Sequence, residues 1–150
     1  MSGTGRLTVL HVVANRWWTG SAEPVLRLVL GLQARGHRVL LALAAGDRFE
    51  AKAREAGIQP VEELTLDVKS GPSAIVGDAR RIRSLVSREA VDVVHAHHSH
   101  DHWLGWWGRG TAALVRTFHN ERSVRRAWPD AALYRRTHAL VAVSRRVDRP

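Results

Sequence analysis

The chain has 150 residues, 45% of them hydrophobic and 25% charged, with a formal net charge of +9 and no cysteine. That length suits one domain able to bury roughly 70% of its unfolded surface, and the lack of thiols excludes disulfides and thiolate metal sites. No apolar run is long enough for a bilayer span, and Leu7–Ala14 lacks the basic lead and cleavage site of a secretory signal, so a cytoplasmic chain is expected.

Short apolar runs alternate with amphipathic stretches. The first expected strand is Leu7–Ala14. A helix follows over Ser21–Arg35, with Ser21 as N-cap, Pro24 in the first turn, Gly36 at C′, and Ala22, Val25, Leu26, Val29 and Leu32 on one face. Arg38–Ala45 is the second strand, Asp47–Ala56 a short helix stopped by Gly57, and Val61–Leu66 a weaker strand. Ser73–Arg88 carries Ile75, Val76, Ala79, Ile82, Leu85 and Val86 at helical spacing. Val91–His97 is a strand, Asp101–Trp107 a short helix, Ala112–His119 a strand and Ala139–Ser144 the last strand, with Asn120–Pro129 the longest irregular stretch. Runs such as Val9–Ala14, Val39–Ala45 and Leu140–Val143 suit strands covered on both faces. The alternation predicts an α/β fold with a doubly wound parallel sheet. Arg145-Arg146-Val147 should open a further helix, and the sequence stops at Pro150 before one is complete, so a truncated domain is expected.

Basic residues are all arginine except Lys52 and Lys69, and they crowd the second half. Arg116, Arg122, Arg125, Arg126, Arg135, Arg136, Arg145, Arg146 and Arg149 face only Glu121, Asp130 and Asp148. Arginine suits bidentate contact with phosphate or carboxylate, which points to phosphorylated small molecules or an anionic membrane surface. Solvated helix faces are the plainer alternative. Nucleic acid is not expected, because the aromatic residues lie away from the arginines and no recognition motif is present.

Ligands of open α/β sheets bind beyond the carboxyl ends of the strands, where strand order reverses. The first strand and the fourth should flank that point. Their loops are Asn15-Arg16-Trp17-Trp18-Thr19-Gly20-Ser21 and His97-His98-Ser99-His100-Asp101-His102-Trp103, and Phe118-His119-Asn120 ends the neighbouring strand. Gly20-Ser21 precedes a helix, whose free N–H groups at Ser21 and Ala22 favour an anion; an ordinary N-cap is the alternative. Neither the P-loop nor the Gly-x-Gly-x-x-Gly fingerprint is present. His95, His97, His98, His100 and His102 admit three readings. One is a metal-dependent hydrolase centre built on His95, His97 and Asp101, although His98-Ser99-His100-Asp101-His102 lacks the spacer that a His-x-His-x-Asp-His motif needs. The second is structural, with hydrogen-bonded histidines and Asp101 as N-cap. The third is recognition of sugar or phosphate, since neutral imidazole offers one donor and one acceptor, with Trp17, Trp18, Trp103, Trp106 and Trp107 available to stack on sugar rings.

The ordered motifs resemble the N-terminal domain of the family 4 retaining glycosyltransferases of the GT-B fold. Trp18-Thr19-Gly20-Ser21-Ala22-Glu23 is similar to the family's Gly-Gly-Ala-Glu loop, with Ser21 in place of the second glycine. Leu32-Gln33-Ala34-Arg35-Gly36-His37-Arg38-Val39, Asp92-Val93-Val94-His95-Ala96-His97, Arg116-Thr117-Phe118-His119-Asn120 and Ala139-Leu140-Val141-Ala142-Val143-Ser144 resemble four further family segments in the family's order. The resemblance implies a Rossmann-like N-terminal half of a GT-B architecture, spanning 1–150, without the second domain that binds the nucleotide sugar. It implies Gly20 and Ser21 at the donor phosphate, His119 as the catalytic histidine beside the reacting sugar, and Asn15, Arg16, Trp17, His97, His98 and Asp101 on the acceptor side. It further implies a nucleotide-sugar co-substrate, a glycan or lipid-linked acceptor, no cofactor and no metal. The expected role is in cell-envelope glycan synthesis in a bacterium, with peripheral membrane contact and with this fragment inactive alone.

Overall fold

The computed structural model describes residues 5–15, 17–67, 69–125 and 127–144. Its elements, in order, are β1 Thr8–Val13, α1 Ala22–Ala34, β2 Arg38–Leu43, α2 Arg48–Glu55, α3 Gly71–Arg88, β3 Val93–Ala96, α4 Ser99–Gly108, β4 Ala113–Phe118, α5 Asp130–Arg135 and β5 Ala139–Ala142. The strands form one parallel sheet in the order β2-β1-β3-β4-β5. This is the doubly wound α/β sheet expected from the alternation.

Side chains alternate across a strand, so each strand feeds two cores. On one face Val13, Leu41 and Leu43 meet Val25, Leu26 and Val29 of α1 and Phe49 and Ala53 of α2. On the other, Leu10, Val12, Val94 and Leu114 meet Ile82 and Leu85 of α3 and Leu104 of α4. α3 and α4 pack closely because Gly108 has no side chain: a Cβ there would lie 2.5 Å from Ile82 Cγ2 and 2.9 Å from the Ala79 carbonyl oxygen.

Three expectations change. The weak strand Val61–Leu66 is reduced to a single bridge between Val61 and Ala42. Its amides at Thr65 and Leu66 donate instead to the buried Asp78 carboxylate of α3, at 3.0 and 2.8 Å, which turns Leu64 and Leu66 into the core. The irregular stretch before β5 leads into α5, whose Leu133 is buried. Cover on both faces fails at β5, where Leu140 and Val141 are 48% and 43% exposed. Arg16 and the expected helix start at Arg145-Arg146-Val147 lie outside the described residues.

Candidate functional site

Strand order reverses between β1 and β3, so the chain leaves their carboxyl ends in opposite directions. These are the expected first and fourth strands, and the crevice lies where the motif loops place it. The register pairs His11 of β1 with His95 of β3. His11 was not among the expected site residues, because a single histidine inside an apolar run reads as core. The parallel pairing of two histidine-bearing strands is what makes it part of a cluster.

His11, His95 and His97 stack with ring centroids 4.4 to 5.2 Å apart, and His119 continues the stack at 5.4 Å from His97. His11 Nδ1 lies 2.9 Å from His97 Nε2, His97 Nδ1 lies 3.2 Å from His119 Nε2, and His95 Nε2 lies 2.7 Å from Thr117 Oγ1. Burial holds the rings neutral. It pushes His95 down to about 4, with His119 and Arg116 adding to the shift, and takes His11 and His97 well below 6.5. His119 is half-buried; burial, then His98 and Arg116, hold it down to about 4.

His97 and Asp101, expected on the acceptor wall, are enclosed, at 1% and 0% exposure. Asp101 is also not the N-cap of α4: His98 takes that position and Asp101 is the third helical residue. Its carboxylate accepts from the backbone N–H groups of Ala14 at 2.7 Å, His98 at 2.9 Å and His97 at 3.3 Å. One buried charge thereby ties the ends of β1 and β3 to the start of α4. His98 is half-buried, with Nδ1 3.2 Å from the same carboxylate, and of the histidines expected in the site it and His119 remain accessible. His102 has a structural role. Thr137 Oγ1 donates to the Leu133 carbonyl at 2.8 Å, so it must accept from His102 Nε2 at 2.7 Å.

The first loop is held by Asn15, whose amide donates to Thr19 Oγ1 at 3.1 Å and whose oxygen accepts from the Trp17 N–H at 3.0 Å. Asn15 and Trp17 line a cavity of about 320 Å³ together with Ala14, Ala44, Leu66, Asp67 and Lys69. Gly20 is exposed, with open space around it. Ser21 precedes α1 but does not cap it through its side chain; its hydroxyl meets Thr19 Oγ1 at 3.1 Å. The Ala22 N–H, expected to be free for an anion, donates to the Thr19 carbonyl at 2.9 Å. Of the five tryptophans expected to stack on a sugar, Trp17 alone lines this cavity. Trp18 packs edge-on against Phe49, and Trp103, Trp106 and Trp107 pack together on α4.

Arg116, expected in a surface basic cluster, is 1% exposed and lies over the Phe118 ring. Its guanidinium has no hydrogen-bond partner among the described residues. Burial lowers it to about 10, opposed by Asp101, Tyr134 and Asp130.

By residue type, His11, His95 and His97 can supply three nitrogens within 4.8 Å to a metal ion. The chemistry of the set opposes this. His11 Nδ1 and His97 Nε2 are engaged with each other, His97 Nδ1 with His119 and His95 Nε2 with Thr117, and the nearby guanidinium repels a second cation. The site offers paired neutral imidazoles, one of them half-exposed, at a strand-order reversal, and the loops after β1 and β2 add a cavity lined by Asn15 and Trp17.

Fold and crevice together define a Rossmann-like domain of the GT-B kind. Residues 18–149 match the model of Glycosyltransferase Family 4, and the chain belongs to that family. No curated protein sequence matches significantly. Among solved structures, a glycosyltransferase from Rickettsia africae ESF-5 superposes with TM-score 0.73 at 20% identity, over 93% of this chain and 37% of that one. MurG from Acinetobacter baumannii gives 0.71 at 13% identity, over 94% of this chain and 42% of that one. A putative UDP-N-acetylglucosamine 2-epimerase from Listeria monocytogenes gives 0.66 at 14% identity, over 95% and 41%. The chain thus spans about two fifths of each of these structures, and the likeness to them is one of fold.

Proposed function

We propose that this chain is the acceptor-side domain of a glycosyltransferase that moves a hexosyl unit, with retention, from a nucleotide sugar to a glycan or lipid-linked acceptor. The family match over residues 18–149 carries the reading. Several features of the crevice support it. His119 sits at the end of β4 with one ring nitrogen directed to His97, which suits a group that orients and stabilises the reacting sugar. In this reading Gly20 and Ser21 meet the donor diphosphate, a role supported by their position at the start of α1, where Gly20 is exposed, and by the dipole of that helix. The cavity beside Asn15 and Trp17 combines an indole, an amide, a carboxylate and an ammonium group, a set suited to hydroxyl-rich ligands. His98 completes the acceptor side in this reading, while Asp101 and His97 shape it from behind. No metal or cofactor is required.

Calorimetry and amide chemical-shift mapping with a panel of nucleotide sugars and glycolipid head-group analogues test the reading. The expected result is weak acceptor binding that shifts Trp17, His98 and His119, with no turnover by the chain alone. Nanomolar binding of a nucleotide sugar to this chain would refute the assignment to the acceptor side. We also propose peripheral contact with anionic membrane at the inner face of a bacterial envelope. The supporting feature is the groove of α3 and α4 where Val76 and Trp107 are exposed beside Arg80 and Arg83. Sedimentation with anionic vesicles, lost at high salt, is the expected behaviour.

A further inference from the structure

His11, His97 and His119 form a single hydrogen-bonded line, His11 Nδ1 to His97 Nε2 and His97 Nδ1 to His119 Nε2. All three rings are held neutral near pH 7, so each carries one N–H. His97 meets an imidazole nitrogen on both sides, and its one proton serves only one of the two contacts. The neighbour must supply the other. Two arrangements give each contact one proton: all three rings protonated at Nδ1, or all three at Nε2. The three tautomers are therefore one variable.

The inner end of the line sets its value. His11 is fully buried and its Nε2 has no hydrogen-bond partner among the described residues. An Nε2–H there would be an orphaned donor in a fully buried site, which folded proteins avoid more strictly than a bare acceptor. The bare lone pair is the less costly end, and it forces Nδ1–H along the line. We propose that the buried inner end of this line, His11 and His97, fixes His119 as its Nδ1–H tautomer. Nε2 of His119 is engaged with His97, so a ligand touching this ring meets Nδ1. His119 then presents a hydrogen-bond donor to a hydroxyl or phosphate oxygen and is unable to take a proton there as a base.

This rests on the reading of His119 as facing the reacting sugar, but its test needs no turnover. Long-range proton–nitrogen correlation spectra of the ¹⁵N-labelled chain at pH 7 read each ring's tautomer directly. The expected result is Nδ1–H at His11, His97 and His119, with His102 as the internal contrast at Nε2–H. Nε2–H at His119 in the folded chain overturns the proposal. In His11→Phe with a dispersed, folded spectrum, the buried end of the line passes to His97 Nε2, itself enclosed, so His97 and His119 should both stay Nδ1–H, and His102 stays unchanged. A His119 that moves to Nε2–H in that variant also overturns it. If His11→Phe fails to fold, the unsubstituted chain's spectrum decides alone. Spectra as expected together with no sugar transfer by the full-length enzyme would sink the functional reading and leave the tautomer line standing.

Discussion

Mild acid should destabilise this fold, and the histidines set the size of the effect. His95 is held near 4 and His102 near 3, while His11 and His97 lie well below 6.5, in every case with burial as the first cause. Unfolded, each binds a proton near the ordinary value of about 6.5. Between that value and the folded one, the unfolded chain holds more protons. Stability is therefore complete above about pH 6.5 and falls as pH drops toward the folded values. At pH 5.5 His95 and His102 each cost about 1.4 kcal/mol, about 3 kcal/mol together, and His11 and His97 add in the same direction, a large share of the stability of a marginal domain. His119 is half-exposed and adds less. Carboxylates titrate mostly below this window, which isolates imidazole. Urea unfolding followed by circular dichroism, in half-unit steps from pH 7.5 to 5.5, should show the midpoint falling throughout. A midpoint flat or rising over that range would refute the burial of these rings as neutral groups.

Four further outcomes follow from particular contacts. Asp101→Asn puts an NH2 in place of one of the two buried oxygens that accept from three backbone N–H groups and should cost about 3 kcal/mol in unfolding free energy, with amide resonances displaced among Ala14, His97 and His98. Arg116→Met replaces a buried, unpaired guanidinium and should stabilise the chain by about 1 to 3 kcal/mol in the same urea assay; a loss of stability would mean that the charge has a partner. Gly108→Ala drives a methyl into Ile82 and the Ala79 carbonyl and should cost about 3 kcal/mol, against less for Gly105→Ala, whose Cβ would meet Leu114 at 3.1 Å. Equimolar zinc or cobalt should leave the melting temperature unchanged and give no ligand-field spectrum, because His11 Nδ1, His97 Nε2 and His95 Nε2 are already hydrogen-bonded and Arg116 lies close by.

The parallel sheet was legible because runs such as Leu41–Leu43, and Val9–Val13 but for His11, are apolar, which suits strands buried on both faces. The crevice was legible too, because polar residues follow those runs at once. What escaped were contacts between distant segments. Asp78 reads as one more polar residue of α3, yet its capture of two amides abolishes a strand. α5 is six residues with one buried side chain, too short for a periodicity. Arg116 counts as surface charge in any tally of composition, and only its position facing Phe118 and α5 shows it enclosed. His97 and Asp101 sit in the right segment but behind the wall, because the strand ends before them and α4 begins at once.

The Asp101 carboxylate joins residues 87 positions apart in sequence when it accepts from Ala14. Synthesis proceeds from the amino end, so β1 leaves the ribosome long before the group that anchors its exit loop. Closing so long a loop brings its entropic cost before any contact compensates for it, and parallel pairing is slow for the same reason. The first loop has its own Asn15 contacts, but its tie to α4 waits until β3 has docked beside β1 and α4 has started. Crevice and sheet mature in one cooperative step. A nascent chain ending before residue 101 can have formed helices without possessing the assembled site.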